Sequence, residues 1–331
     1  MEAATVAQGT PRKFRRQAIK PAILITGITG MIGSALAEHL SDVGYQVHGT
    51  VRSSQVGIPS NLPVEHVYTY NLEDPMVSVI PLHMFDSIIH CAAVTSEMDS
   101  DLVRSRRANV DGTKFIITEA IRSRVRRFIY ISSMSAHPAN PSAYARSKLE
   151  AERVVRSARG IEWVILRPGL VVSRSPRGIF SKIFKLVSTG WVVPIVTGIN
   201  NLSTVHIDDL CEAISRSIET KHAAGLSIDV AAEECLTFSD IVDALANSNG
   251  TRIRRLRVTP WALLGAAYCL RWTKSPAVTR DNVYGLINAR SPDSSHLVKI
   301  LGLEPTNLRE SLERLGLLNG PFSSRPRHLH S

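Results

Sequence analysis

Cysteine is scarce and scattered. Cys91, Cys211, Cys235 and Cys269 form no CxxC pair and no metal-type spacing, so no disulfide framework or metal centre is expected and a reducing, cytoplasmic setting is favoured. Long apolar runs are missing too. The most apolar stretch outside the expected strands, Trp261 to Leu270 (WALLGAAYCL), is far shorter than the ~18 residues of a spanning helix. It reads as a packed core helix; peripheral membrane contact, with Arg271 and Lys274 behind it, is the less favoured alternative. The first twenty residues have no apolar core of a secretory signal. No internal repeat is visible.

Acidic residues are outnumbered: 29 against 39 basic ones, a net charge of +10. The excess collects in Arg12, Lys13, Arg15, Arg16 and Lys20, in Arg122, Arg124, Arg126 and Arg127, and in Arg252, Arg254, Arg255 and Arg257. These clusters read as a loose leader and solvated faces rather than a nucleic-acid surface. An anionic cofactor and substrate would use part of the remainder. With 44% hydrophobic content over 331 residues, the chain can bury one large α/β domain or a nucleotide domain with a smaller partner.

Ala22 to Thr26 is a short apolar run ending in glycine, the pattern of a buried parallel strand. A helix is expected from about Met31 to Ser41. Further strands are expected from Gln46 to Val51, Val64 to Tyr70, Asp86 to Cys91, Arg127 to Ile131 and Trp163 to Leu166. Asp101 to Arg122 has helical spacing, and Asn140-Pro141 opens another helix, with Asn140 as N-cap. This alternation predicts an α/β fold, a doubly wound parallel sheet of the Rossmann type. After Gly169 the rhythm loosens into a mixed part: helices near 180–189, from Asp208 or Asp209 to Ile218, and at 240–246, 261–271, 283–288 and 308–315, with a late strand from Ser227 to Val230. The expected organisation is a basic, disordered leader (1–20), a dinucleotide domain (21–170), a smaller substrate lobe (171–319) with segments returning to the core, and a disordered tail (320–331).

Gly27, Thr29, Gly30, Met31, Ile32 and Gly33 lie in TGITGMIG (26–33), a TGxxGxxG turn between strand and helix. Gly27 permits the tight turn, Gly30 lets a pyrophosphate approach the backbone, and Gly33 lets the helix pack on the strand. The free N–H groups of the helix start suit phosphate. The second strand ends in Arg52-Ser53-Ser54 with no carboxylate for a ribose diol. Arg52 offers a guanidinium fork suited to a 2′-phosphate. NADP is therefore favoured, with NAD left open. Downstream, Tyr144 and Lys148 are four apart and share a helix face. A fixed ammonium beside the phenol would favour phenolate and lower its pKa, making an acid/base. Ser132 and Ser133 end the strand before it.

The order of these motifs resembles the extended and atypical short-chain dehydrogenases/reductases, the NAD-dependent epimerase/dehydratase group. HCAAVTS (90–96), NVDGT (109–113), RFIYISSMSA (127–136), YARSK (144–148), LRPGLV (166–171), VHIDDL (205–210) and LGLEP (301–305) carry it from about residue 21 to 318. The resemblance implies Ser133 as the hydroxyl that binds the substrate oxygen, with Ser135 as its alternative, Tyr144 as general acid/base, and Lys148 on the nicotinamide ribose. It also implies Ala92 and Ala93 as the small residues beside adenine and ribose, and Pro168 against the nicotinamide. Asn109 resembles a structural asparagine. Near adenine the usual acidic residue is replaced by Asn71, followed by Leu72. The Ser133–Tyr144 loop is short for a sugar epimerase, and Leu202 stands where many nucleotide-sugar members carry a diphosphate-binding arginine. Arg177, Lys182, Lys185 or Arg290 would have to compensate. The implied activity is hydride transfer at a hydroxyl or ketone carbon: on a nucleotide sugar, by epimerisation or 4-keto reduction, or on a hydrophobic ketone or alcohol of the flavonol or sterol type. A non-catalytic NADP-binding scaffold is a third option. The small-molecule substrate is the expected partner, and the family's four-helix pairing admits a homodimer.

Overall fold

The structure, a computed structural model, describes residues 20–53, 55, 57–77, 79–95, 102–174, 176, 178–190, 192–199, 201–269 and 279–317. Apart from Lys20, the expected leader and tail lie outside these residues, as do Ser54, Ser96, Arg177, Arg271 and Lys274. In chain order the strands are β1 (Ala22–Thr26), β2 (Gln46–Val51), β3 (His66–Thr69), β4 (Ser87–His90), β5 (Arg127–Ile131), β6 (Glu162–Pro168), β7 (Leu170–Val172), β8 (Val192–Val196), β9 (Thr204–His206), β10 (Ser227–Val230) and β11 (Arg254–Val258). The helices are α1 (Met31–Asp42), α2 (Leu102–Arg106), α3 (Gly112–Arg122), α4 (Ala143–Ser157), α5 (Gly178–Ser188), α6 (Ile207–Glu219), α7 (Phe238–Ser248), α8 (Pro260–Cys269), α9 (Arg280–Ile287), α10 (Ser295–Leu301) and α11 (Leu308–Arg314).

Seven strands form one sheet in the order β3-β2-β1-β4-β5-β6-β10, every neighbour parallel. Period-2 alternation divides its side chains between two faces. Ile23 and Ile25 of β1 join the core under α1 and α6, with Leu36, Leu40, Leu210 and Ile214. Leu24 joins the opposite core under α3 and α4, with Ile116, Ala120, Ala151 and Val155. Both faces are covered, which is why the strands read as unbroken apolar runs. The strand order reverses between β1 and β4. That switch point opens a crevice at the carboxyl ends of the strands, where ligands of such sheets bind.

The chain after β6 builds a second core from α5, β8, α7 and α11, including Phe180, Val193, Phe238, Leu245 and Leu312. Two small parallel sheets, β7-β9 and β8-β11, belong to this part, whereas β10 returns to the main sheet beside β6.

Several local expectations are corrected. Ser142, not Asn140, caps α4, accepting the Ala145 N–H at 3.1 Å; Asn140 Oδ1 instead accepts the Ser142 N–H. Likewise His206 caps α6 by accepting the Asp208 N–H at 3.2 Å, so neither Asp208 nor Asp209 is the cap. Arg127 is no surface charge: it is fully buried, donating to the Ser217, Ile218 and Thr220 carbonyls at the end of α6 and pairing with Glu162. Nor is α8 a packed core helix, since Trp261 is 81% exposed.

Candidate active site

The glycine turn is built by close packing. Gly27 has φ +72°, and a Cβ on it would come within 2.9 Å of the Ala92 backbone. A Cβ on Gly33 would run into the Gly27 carbonyl. At the start of α1, Gly30 stands in the N-cap position with no side-chain cap, so the first N–H groups of the helix remain available to an anion. This cradle fits a dinucleotide pyrophosphate.

A hydrogen-bond chain holds the turn against β4. Thr26 Oγ1 accepts the Ala92 N–H at 3.2 Å and lies 2.7 Å from His90 Nδ1, to which it donates when the neutral ring carries its hydrogen on Nε2. His90 Nε2–H then faces Thr113 Oγ1 at 3.1 Å, and Thr113 donates to the Asn109 carbonyl at 2.6 Å. Burial, aided by the positive Lys148, drives the His90 pKa down to about 3, which keeps the ring neutral as this chain requires. Asn109 lies in a π-helical turn, Arg107–Asp111, between α2 and α3. Its amide clamps both backbone groups of Val94 (2.7 and 2.9 Å) and donates to Ser147 of α4 at 2.9 Å. His90, Thr113 and Thr26 sit inside quoted motifs, but only the fold shows that they bond one another.

A single cleft of about 620 Å³ brings together Gly27, Thr29, Gly30, Met31, Ile32, Gly33, Arg52, Asn71, Leu72, Ala92, Ala93, Ser133, Tyr144 and Pro168. Ser135, the alternative hydroxyl, lines it as well. Lys148 does not: it is buried behind the cleft, donating to the Ile131 carbonyl at 2.6 Å and lying 4.3 Å from the Tyr130 ring. Burial lowers its pKa to about 8. The phenol moves the opposite way to expectation. Burial pushes Tyr144 up to about 12, opposed by a hydrogen bond with Ser133. With the ammonium directed at Ile131, the expected lowering by Lys148 is not found in this arrangement.

Two contacts escaped sequence reasoning because they join distant segments. Asp281, from α9, accepts the Ala143 and Tyr144 N–H groups at 3.3 and 3.0 Å and also lines the cleft. Behind Ser133, the Ser132 hydroxyl donates to the buried Glu152 at 2.6 Å, and Arg167 grips both Glu152 oxygens at 2.7 and 2.6 Å. Burial would raise the Glu152 carboxyl, yet the Arg167 and Ser132 hydrogen bonds hold it below its usual range.

Leu170, Val171, Phe180, Leu202 and Leu286 also line the cleft, with Asp281 and Asn282 as polar neighbours on α9. Of the cations named as substitutes for an arginine at Leu202, Arg290 forks onto Asp229 at 2.6 and 2.7 Å. Lys182 bonds Asn282 at 3.0 Å, and Lys185 is exposed on α5. At the other end Arg52 is exposed, while Glu73, also on the cleft, is held by Arg104 at 2.9 Å.

A model of the NAD dependent epimerase/dehydratase family matches residues 23–231. A UDP-glucose 4-epimerase of Vibrio cholerae is 29% identical over 308 residues, 86% of this chain and 90% of that protein. A ceramide reductase of Caulobacter vibrioides is 26% identical, covering 81% and 83%. The solved structure of MoeE5 in complex with UDP-glucose and NAD is similar at a TM-score of 0.70 and 19% identity, covering 89% of this chain and 98% of that one.

Proposed function

The chain belongs to the NAD dependent epimerase/dehydratase family, and from that premise we propose that it reduces a ketone, or oxidises the matching alcohol, on a largely apolar substrate. It is an enzyme of the nicotinamide-dependent oxidoreductase class. The observation that carries the substrate reading is that Leu170, Val171, Phe180, Leu202 and Leu286 line the cleft while no arginine stands at position 202 and Arg290 is already engaged by Asp229. A diphosphate there would meet hydrocarbon.

When bound, the nicotinamide supplies or accepts the hydride. Tyr144, protonated up to about pH 12, is in the form that donates a proton to a carbonyl oxygen as the carbon is reduced. Ser133, on the same cleft, would orient the same oxygen. Lys148, buried behind the cleft with its ammonium on the Ile131 carbonyl, does not reach a cofactor ribose in this arrangement. Arg52 supports NADP over NAD, since its guanidinium is exposed on the cleft and no carboxylate ends β2. A nucleotide sugar is the second reading, favoured by the 29% identity to a UDP-glucose 4-epimerase over nearly the whole chain.

Thermal melting with NADP, NAD, UDP and dTDP, followed by turnover on a panel of long-chain and polycyclic ketones, separates the two. We expect NADP to stabilise the protein, UDP and dTDP to leave it unmoved, and an apolar ketone to be reduced. A UDP-induced shift with no ketone turnover would overturn the apolar reading. Tyr144→Phe should keep the NADP shift and lower turnover by roughly 100-fold or more; joint loss of both contradicts the proton-donor role. Arg52→Asp should move the NADP/NAD ratio of kcat/KM toward NAD, and an unmoved ratio removes the 2′-phosphate contact.

A further inference from the structure

Helix α8 carries no charged side chain over ten residues, PWALLGAAYC. A helix apolar on all sides is normally buried, yet Trp261 is 81% and Tyr268 51% exposed, with Ala267 its only buried residue. Leu263 packs on the second core, so one side holds the helix to the protein while the rest faces outward. The strand before it, β11, lies at the edge of a two-stranded sheet. Arg252, Arg254, Arg255 and Arg257 are all exposed. Leu256 is 55% exposed among them, and Val192, 46% exposed, lies opposite Arg254 in the sheet register. Arg255 pairs with Asp243; Arg252, Arg254 and Arg257 have no ion pair among the described residues. From Ala244 to Cys269 there are four arginines and no acidic residue.

An exposed apolar patch of this kind marks an interaction surface, and the charge beside it selects the partner. A second copy docking through the same patch would set arginine against arginine. A nucleic-acid backbone would satisfy the arginines and leave Trp261, Leu256 and Val192 facing phosphate. An anionic bilayer offers both partners at once, phosphates for the guanidinium groups and the acyl boundary for Trp and Tyr. We propose that α8 and β11 form a peripheral docking surface for membranes containing anionic phospholipid. Helix α8 packs on α9, whose Asp281, Gly285 and Leu286 line the cleft, so the docked face adjoins the site. The docking does not depend on which substrate the cleft accepts.

Flotation of the full chain with vesicles tests this. The protein should float with phosphatidylcholine–phosphatidylglycerol vesicles, stay behind with phosphatidylcholine alone, and be released by high salt. Trp261→Gln and the double variant Arg254→Glu/Arg257→Glu should each weaken flotation by roughly tenfold or more. Both should keep the wild-type melting temperature, because the side chains removed are exposed. Absence of flotation with the anionic vesicles, or variants that float as well as wild type, would overturn the proposal. So would sedimentation showing a dimer that Trp261→Gln dissolves, because the patch would then be covered by a second copy.

Discussion

Tyr144 and Lys148 lie one turn apart on α4, and burial acts on both in favour of the neutral form. The phenol rises to about 12 and the ammonium falls from 10.5 to about 8. For Lys148 the sign is clear. At pH 7 it is charged in both the folded and unfolded chain, so the fold carries the cost of burying it, on the order of 3 kcal/mol. Between pH 8 and about 10.5 the folded protein has shed that proton while the unfolded chain still binds it, so stability rises through this window. Lys148→Met should therefore melt no lower than wild type at pH 7, and it should lack the rise above pH 8. Thermal melts across pH 7 to 10.5 check this; a variant several kcal/mol less stable at pH 7 would show that the Ile131 hydrogen bond outweighs the charge. The lysine and tyrosine were legible from four-residue spacing. The direction of their shifts was not, because it is set by burial, which distant segments of the chain impose.

Helix α4 illustrates how an element depends on a distant one. Its first turn leaves N–H groups without partners inside the helix. Ser142 satisfies Ala145, and Asp281 of α9 satisfies Ala143 and Tyr144. A carboxylate at that end also favours the helix dipole. Asp281→Ala should cost about 1–2 kcal/mol in urea unfolding and lower kcat more than it weakens cofactor binding, since it loosens the backbone beneath the phenol. Asp281→Asn, which keeps an acceptor, should recover much of the loss. Equal effects on kcat and on cofactor affinity would mark a merely structural contact. The same lesson applies at α6, where the sequence suggested an aspartate cap and His206 takes the position. Several side chains near a helix start can accept an N–H, and backbone direction chooses among them.

Across the whole molecule, Arg127 couples the parallel sheet to α6. From a fully buried position in β5 it donates to the Ser217, Ile218 and Thr220 carbonyls at the end of that helix, sharing Ile218 with Arg126 and Thr220 with the Ala223 N–H. Arg127→Met would remove one donor from each of those carbonyls, leaving Ser217 the most exposed to loss, and would take from Glu162 one of its two guanidinium partners. We expect a loss of roughly 2–5 kcal/mol, read as a lower melting temperature and a lower urea midpoint with an unchanged slope. A melting temperature within experimental error of wild type would show that water replaces the guanidinium at the helix end.

Strand runs bounded by glycine, and the alternation of strand with helix, were enough by themselves to determine the parallel sheet and the glycine cradle. Both rest on local periodicity and on steric limits that a short segment carries alone. The strands β7, β8, β9 and β11 passed unnoticed, because they lie in the mixed part after Gly169, where no regular alternation of strand and helix marks them. Tertiary structure alone decided that Asp281 caps α4, that Arg290 is taken by Asp229, that Arg127 is buried and that α8 faces outward. Each of these depends on which distant groups share a surface, and burial or pairing is a property of that shared surface, absent from any one stretch of chain.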